Sequence, residues 1–374
     1  MNVLIAPNSM KGTLSAFAFA DAIERGLNKA GITRVIKLPV ADGGDGTAEI
    51  LDGCYRADFI PCKALDPLKR EIGSGYFMGD DHTAIVEMAS ASGLKWLFPS
   101  EYSALDATSY GTGQLIADAV RKGAKHILIG VGGSASVDGG MGALMALGVK
   151  FVGKEGEITE GNGRQMGNVL RIEDRQAREF LKDVKLTILT DVRNPLLGTD
   201  GAARVFAPQK GATPMDVEVL EKNMALFAGS LFQATGNDIS QTTGGGAAGG
   251  ISASFHALFG AEIVDGASFI LEKLNFRELA RSADVIITGE GKIDRTTYEG
   301  KAPGVVLKIA SELGKPVYAI CGECELEDDS LFKSVIPLVN RNISRREACE
   351  IPAFYVEVAS EIIGKTLKRW MRNS

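Results

Sequence analysis

A run of small residues, Gly130-Val-Gly-Gly-Ser-Ala-Ser-Val-Asp-Gly-Gly140, constrains this chain more than any other segment. The apolar Ile127-Leu128-Ile129 before it reads as a buried strand, and Met141, Leu144 and Met145 after it repeat at helical spacing. A loop between a strand and a helix is where backbone N–H groups and a helix N-terminus can bind an anion. Gly132 and Gly133 allow positive φ and close backbone approach. Ser134 and Ser136 add hydroxyls, and Asp138 adds a carboxylate. Two readings of Asp138 stand: Mg²⁺ lies between it and a bound phosphate, or it caps the following helix.

Four more glycine-rich segments carry charge or polarity: Ala41-Asp-Gly-Gly-Asp-Gly-Thr47, Phe206-Ala-Pro-Gln-Lys-Gly211, Thr243-Gly-Gly-Gly-Ala-Ala-Gly-Gly250 and Gly289-Glu-Gly-Lys-Ile-Asp294. Five such loops, three with carboxylates and two with a lysine, point to a site for a polyanion and a metal.

The 374 residues exceed one ordinary core, so two domains are expected. Net charge is −6 with no basic stripe, which argues against nucleic acid as a partner. No run of 18 apolar residues is present, so no membrane span is expected. The N-terminus lacks a charged n-region and a cleavage site, and reads as a first strand. Five cysteines, an odd number spread widely, make no disulfide framework. Cys321-Gly-Glu-Cys324 has redox spacing, but Glu323, Glu325 and Glu327 disfavour a thiolate there, so the pair reads as structural. His126 opens an apolar strand and reads as structural too.

Strand and helix patterns alternate at both ends. Residues 2–6 and 34–39 read as strands around a helix at 15–29. From about residue 268 the order is helix, strand 284–288, helix 303–313, strands 317–320 and 334–338, and a last helix. The middle is less regular, with short strands at 59–62, 71–77 and 84–88, a helix at 112–122 and strands at 126–130 and 185–189. Val217, Leu220, Met224, Phe227, Ala228 and Leu231 mark a long amphipathic helix. The expectation is an α/β fold. One parallel-sheet domain is built from both chain ends, 1–65 plus 275–374. An inserted α/β domain with a mixed sheet covers 66–274. The active site is expected in the cleft between them, near strand C-termini.

Phosphoryl transfer needs donors for phosphate, a cation, a metal held by carboxylates and a positioned base. No P-loop or dinucleotide fingerprint is present. Lys11 is expected just before the first helix, where the dipole and backbone donors suit an anion. Asp191 follows the strand 185–189, and a carboxylate there suits a base or a metal ligand. The bland reading of Asp191 is an Asx-turn before Pro195.

Together these segments resemble bacterial glycerate kinase of type I. The resemblance is carried nearly end to end by Ala6-Pro-Asn-Ser-Met-Lys-Gly12, the segments at 41–47, 132–140, 206–212, 246–250 and 289–295, Ala107-Thr-Ser-Tyr-Gly-Thr-Gly113, Thr190-Asp-Val-Arg-Asn-Pro-Leu196 and Gly300-Lys-Ala-Pro303. It implies a Rossmann-like domain with an inserted α/β domain, in a cytoplasmic enzyme. It implies ATP-dependent phosphorylation of D-glycerate with Mg²⁺, giving 2-phosphoglycerate. The alternatives are a 3-phosphoglycerate product or a non-catalytic sensor of small carboxylates, in a monomer or homodimer. Asp191 and Lys11 are the catalytic candidates. Ser9, Gly132, Gly133, Ser134, Asn194, Gln209, Lys210, Lys292 and Lys301 are candidates for substrate or phosphate, and Asp42, Asp45 and Asp138 for metal. Asn8 stands where the family usually has aspartate; the asparagine keeps the hydrogen-bonding shape and loses the charge. Asp45 replaces the usual glutamate, and Val137 the usual asparagine.

Overall fold

The computed structural model describes residues 1–326 and 328–373, so Glu327 and Ser374 lie outside it. Two compact units divide the chain: Met1–Asp42 with Gly266–Ser374, and Gly43–Asp265.

The end unit is built on a five-stranded sheet ordered Ser334–Pro337, Val317–Cys324, Val285–Ile293, Val3–Pro7, Val35–Lys37. Every pairing is parallel. Successive side chains on a strand point to opposite faces. Val3 and Ile5 therefore enter one core with Val285, Ile287 and Ile320, while Leu4 and Ala6 enter a second core with Ile286 and Ala319. Two buried faces explain why these strands read as unbroken apolar runs. Helix Ala16–Lys29, capped by the Ser15 hydroxyl, covers the first face together with helix Pro352–Asn373. The two helices approach so closely that a Cβ on Gly26 would meet the Glu357 carbonyl oxygen at 2.2 Å. Helices Gly266–Lys273 and Ala302–Glu312 cover the second face through Ala267, Leu271, Val306 and Ala310.

The middle unit has a six-stranded sheet ordered Glu262–Asp265, Lys185–Thr190, His126–Gly130, Thr83–Glu87, Glu71–Met78, Asp58–Leu65. The first four pair in parallel and the last two are added antiparallel. A smaller antiparallel sheet joins Gly156–Ile158, Lys150–Gly153 and Arg171–Glu173. One continuous core includes Ile127, Ile129, Leu144, Ile188 and Phe227.

The units divide at Asp42/Gly43 and Asp265/Gly266, not near residues 65 and 275. Strand Asp58–Leu65 pairs with Glu71–Met78 along its whole length, which holds it in the middle unit. Ala267 and Leu271 pack in the core of the end unit, which draws helix Gly266–Lys273 there. The strand expected at 284–288 continues to Ile293, because its pairing with Val317–Cys324 runs on through Lys292 and Ile293. Strands of three or four residues at 150–173 show no readable alternation and escape a sequence reading. In the glycine-rich stretch 243–250, Ala248, Gly249 and Gly250 take positive φ and are not helical, as a loop requires, and the helix that ends at Phe259 follows this kink.

Candidate active site

In the middle unit the four parallel strands end at Glu87, Gly130, Thr190 and Asp265, within one residue of a common register. The segments after them collect the small residues singled out in the sequence. Gly132 N–H donates to the Gly43 carbonyl at 3.1 Å. A Cβ on Gly132 would meet Gly44 Cα at 2.4 Å, so the two loops touch backbone to backbone. Gly43 has φ +98°, and a Cβ there would lie 2.5 Å from the Leu189 carbonyl oxygen, so glycine is required twice over. A Cβ on Gly133 would meet an Asp45 carboxylate oxygen at 2.7 Å. Asp45, Gly132, Gly133 and Ser134 are thus brought together. Asp191 follows the adjacent strand, half-buried. Asn194 shapes the turn beyond it, donating to the Asp200 carbonyl at 2.8 Å. Gln209 is exposed on a short 3-10 turn, Pro208–Lys210.

Glu87 escaped the sequence reading. It is half-buried at a strand end and accepts from Ala48 N–H at 3.0 Å. Burial pushes its carboxyl up, against that hydrogen bond. An acidic residue closing the apolar run 83–87 was the available signal.

Asp138 does not take the metal role. It is 0% exposed and accepts from Ser109 N–H at 2.8 Å, Ser109 Oγ at 2.7 Å, Gly140 N–H at 3.1 Å and Gly142 N–H at 3.2 Å. Burial pushes its carboxyl up while these donors pull it down. The helix after the loop, Met141–Ala146, has six residues, and Met141 and Ala143 N–H are also occupied, by the Asp138 carbonyl and Ser109 Oγ. The expected anion site at that helix N-terminus is therefore closed by Asp138 acting as its cap. In the strand-proximal part of the loop Gly132 N–H is taken by the Gly43 carbonyl and Ser134 is buried, while Gly132 and Gly133 stay half-exposed.

Lys210, expected to meet phosphate, is turned inward instead. It is 2% exposed and donates to Ser134 Oγ at 2.8 Å and to the Ser136 carbonyl at 2.7 Å.

The end unit gathers a second polar group at its own strand ends. Asn8 follows strand Val3–Pro7; its side-chain amide donates to Asp42 at 2.7 Å and its side-chain oxygen accepts from Ser9 N–H at 2.7 Å. Glu290, 6% exposed, lies one residue beyond the Pro7–Gly289 pairing and accepts from Thr297 Oγ1 at 2.8 Å. Lys301 stands 3.7 Å from Glu290 and 3.5 Å from Asp294. Burial pushes the Glu290 carboxyl up to about 7 against the pull of Lys301 and Thr297, with Asp42 and Asp294 adding to the rise. Glu290 was missed because its strand was ended too early, at residue 288.

Lys11 is exposed in a turn, with Met10 bridged to Leu14, and the helix starts only at Ala16. The helix-dipole argument for Lys11 therefore fails. Lys292 pairs with Glu325 at 2.8 Å. Cys321 is buried within strand Val317–Cys324, neither Cys321 nor Cys324 is in a disulfide, and burial pushes the Cys321 thiol up, which disfavours a thiolate there. His126 meets Thr187 Oγ1 at 2.9 Å, a structural contact.

Among the described residues no three His, Cys, Asp or Glu side chains gather as a metal cage. Mg²⁺ bound through phosphates keeps water ligands and needs only one or two carboxylates. Asp45, exposed beside Gly133, fits that need; Asp138 does not. No helix among the described residues is long and apolar enough to cross a membrane.

The chain matches the glycerate kinase family over residues 3–368. A glycerate kinase from Halalkalibacterium halodurans is 35% identical, with 100% of this chain and 99% of that protein covered. The glycerate 2-kinase of Escherichia coli K12 is 37% identical, with 88% of this chain and 86% of that protein covered. A crystal structure from Salmonella typhimurium LT2, of a protein described as a candidate glycerate kinase 2, superposes with a TM-score of 0.83 at 34% identity, covering 100% of this chain and 99% of that one. A match of this length, on a scaffold that collects glycines and carboxylates at its strand ends, assigns the chain to the glycerate kinase family.

Proposed function

We propose that this kinase transfers the γ-phosphoryl group of ATP to D-glycerate and forms 2-phosphoglycerate. The observation that carries the reading is the whole-length family match, with a glycerate 2-kinase among the relatives. Asp191 takes the proton of the acceptor hydroxyl, a task that needs only a positioned carboxylate because the transition state is loose. Gly132, Gly133 and Ser134 present backbone and hydroxyl groups to phosphate. Ser9, Lys11, Asn194, Gln209 and Lys301 are the remaining contacts proposed for glycerate and nucleotide. Mg²⁺, when bound to the nucleotide, would neutralise phosphate charge, with Asp45 as the proposed protein ligand. We place the enzyme in the cytoplasm as a monomer or homodimer.

The test is an ADP-release assay. With D-glycerate and MgATP, ADP should form far faster than without the acid, and chelation of Mg²⁺ should stop it. Equal rates with and without D-glycerate would leave a carboxylate-binding protein without turnover. Phosphorus NMR of the product decides between positions 2 and 3.

A further inference from the structure

We propose that Ser134 and Lys210 form a serine–lysine dyad, in which the Ser134 hydroxyl is a nucleophile toward the activated phosphorus of a nucleoside triphosphate and Lys210 accepts its proton.

The geometry is that of a base against a hydroxyl. Lys210 Nζ lies 2.8 Å from Ser134 Oγ and 2.7 Å from the Ser136 carbonyl oxygen. Both acceptors are neutral, and no carboxylate lies within ion-pair distance of this lysine among the described residues. A buried ammonium in such company is costly, and losing the proton relieves the cost. An ammonium has three donors and no acceptor, but a neutral amine has two donors and a lone pair. It can keep its hydrogen bond to the Ser136 carbonyl and turn the lone pair to the Ser134 O–H. The same positions of heavy atoms thus serve both protonation states. Burial holds this lysine down to about 7, and the charged group that acts on it, Asp138, pulls the other way.

Ser134 follows strand His126–Gly130 by four residues and is itself 6% exposed; half-exposed Gly132 and Gly133 beside it add no side chains between it and the surface. Serine is a weak nucleophile until an adjacent base takes its proton, and Ser–Lys pairs are one arrangement that supplies the base. In the step proposed, the Ser134 Oγ–P bond forms and the bond from phosphorus to the nucleoside diphosphate breaks. The serine proton moves to Lys210 Nζ. The products are phosphoserine and a nucleoside diphosphate. The nucleotide as donor rests on the kinase reading above; the nucleophile does not.

Two arms test it on the full-length protein. In the first, a fluorophosphonate probe reacts as fluoride leaves phosphorus. One adduct is expected, mapped to Ser134, with a rate that rises with pH and levels off above about 7. Ser134→Ala should give none. Lys210→Arg keeps a charged donor and cannot accept a proton, and Lys210→Met keeps neither; each should slow labelling by about 10² or more. The pH profile of the unaltered protein serves even if those variants fail to fold. Absence of an adduct, a rate still climbing tenfold per pH unit beyond pH 9, or a folded Lys210→Met protein that labels normally would overturn the dyad. In the second arm, MgATP without D-glycerate should leave a phosphoryl group on Ser134, found by peptide mass. A protein that takes the probe and not the phosphoryl group would overturn the nucleotide as donor. ADP release with D-glycerate reads the kinase activity separately, so either reading can fail alone.

Discussion

The middle unit buries a lysine where the end unit buries a glutamate. Lys210 lies under the loop that follows strand His126–Gly130, and Glu290 lies near the end of strand Val285–Ile293. Desolvation disfavours the charged form of each. It lowers the lysine and raises the glutamate, so both are drawn to about 7 from opposite directions. Their partners differ in kind. Lys210 is held by a hydroxyl and a carbonyl, which suit a neutral amine as well as an ammonium. Glu290 faces Thr297 and the charged Lys301, with Asp42 and Asp294 opposing its ionisation. The middle unit therefore offers proton chemistry beside small residues and an exposed carboxylate, Asp45. The end unit offers an ionic cluster whose charge is internally balanced in part. The difference teaches that buried charge at a strand end is not one device; its hydrogen-bond partners decide what it can do.

The largest expected effect would break this contrast at once. If the middle unit holds the reacting carboxylate, Asp191→Asn keeps the shape, still accepts a hydrogen bond and cannot take a proton. Turnover should fall by about 10²–10⁴ with substrate binding little changed. Steady-state kinetics with D-glycerate and MgATP measures it. Collapse of MgATP binding instead would make Asp191 a metal ligand. An unaltered rate would leave it an Asx-turn and move the search for the base to the end unit, to Glu290 or Asp42.

How much of this was legible follows from scale. Strands buried on both faces, such as Val3–Pro7, announce themselves by unbroken apolar runs. The long helix Pro214–Thr235 was readable from Val217, Leu220, Met224 and Leu231, all buried. The glycine clusters were readable as loops because close approach, as at Gly43 and Gly132, admits no other residue. Facing direction was not readable. Nothing in Phe206-Ala-Pro-Gln-Lys-Gly211 says that Lys210 points inward and Gln209 outward; the turn Pro208–Lys210 decides it. Asp138 could be cap or metal ligand until Ser109, Gly140 and Gly142 were seen to fill both oxygens. Glu290 was hidden because a strand's end is set by its pairing partner, which lies some thirty residues away at Cys321.

An intermediate effect would sharpen the contrast through pH. Glu290 is raised from 4.5 to about 7 on folding. A raised acid contributes stability that is fully present below its unfolded value and is lost as pH rises through its folded value. The loss from this group should therefore run between about pH 4.5 and 7. Lys210 is lowered from 10.5 to about 7, so its contribution is present above 10.5 and is lost as pH falls through about 7. A fall in pH from about 10.5 to 7 thus weakens the middle unit, and a rise from about 4.5 to 7 weakens the end unit. Glu290→Gln abolishes the first titration. Relative to the unaltered protein, its unfolding free energy should improve by about 1–3 kcal/mol between pH 4.5 and 7.5. Denaturant titrations at several pH values measure the difference. A difference independent of pH would mean that Glu290 is not held neutral, and the symmetry with Lys210 would go.

The smallest effect is expected at Lys292, and its smallness is the point. The segment Gly289–Asp294 reads as a phosphate-binding loop, but in the structure Lys292 lies within strand Val285–Ile293, in register with Glu323 of the neighbouring strand. Its ammonium is 2.8 Å from Glu325 and 3.9 Å from Asp294, with the side chain 42% exposed. An exposed pair of this kind contributes little, because water screens it and two flexible side chains must be ordered to form it. A lysine already matched by carboxylates also has less field to offer an incoming phosphate than an unmatched one. Lys292→Ala should therefore change kcat/KM by less than about fivefold. Kinetics at low and physiological salt make the check strict, since a phosphate contact would lose strength as salt rises while a spectator would not. A loss of about 10² or more that shrinks as salt rises would show that Lys292 leaves Glu325 for the transferring phosphate. The end unit would then supply a phosphate ligand after all, and its ionic cluster would be a part of the catalytic machinery and not a counterweight to it.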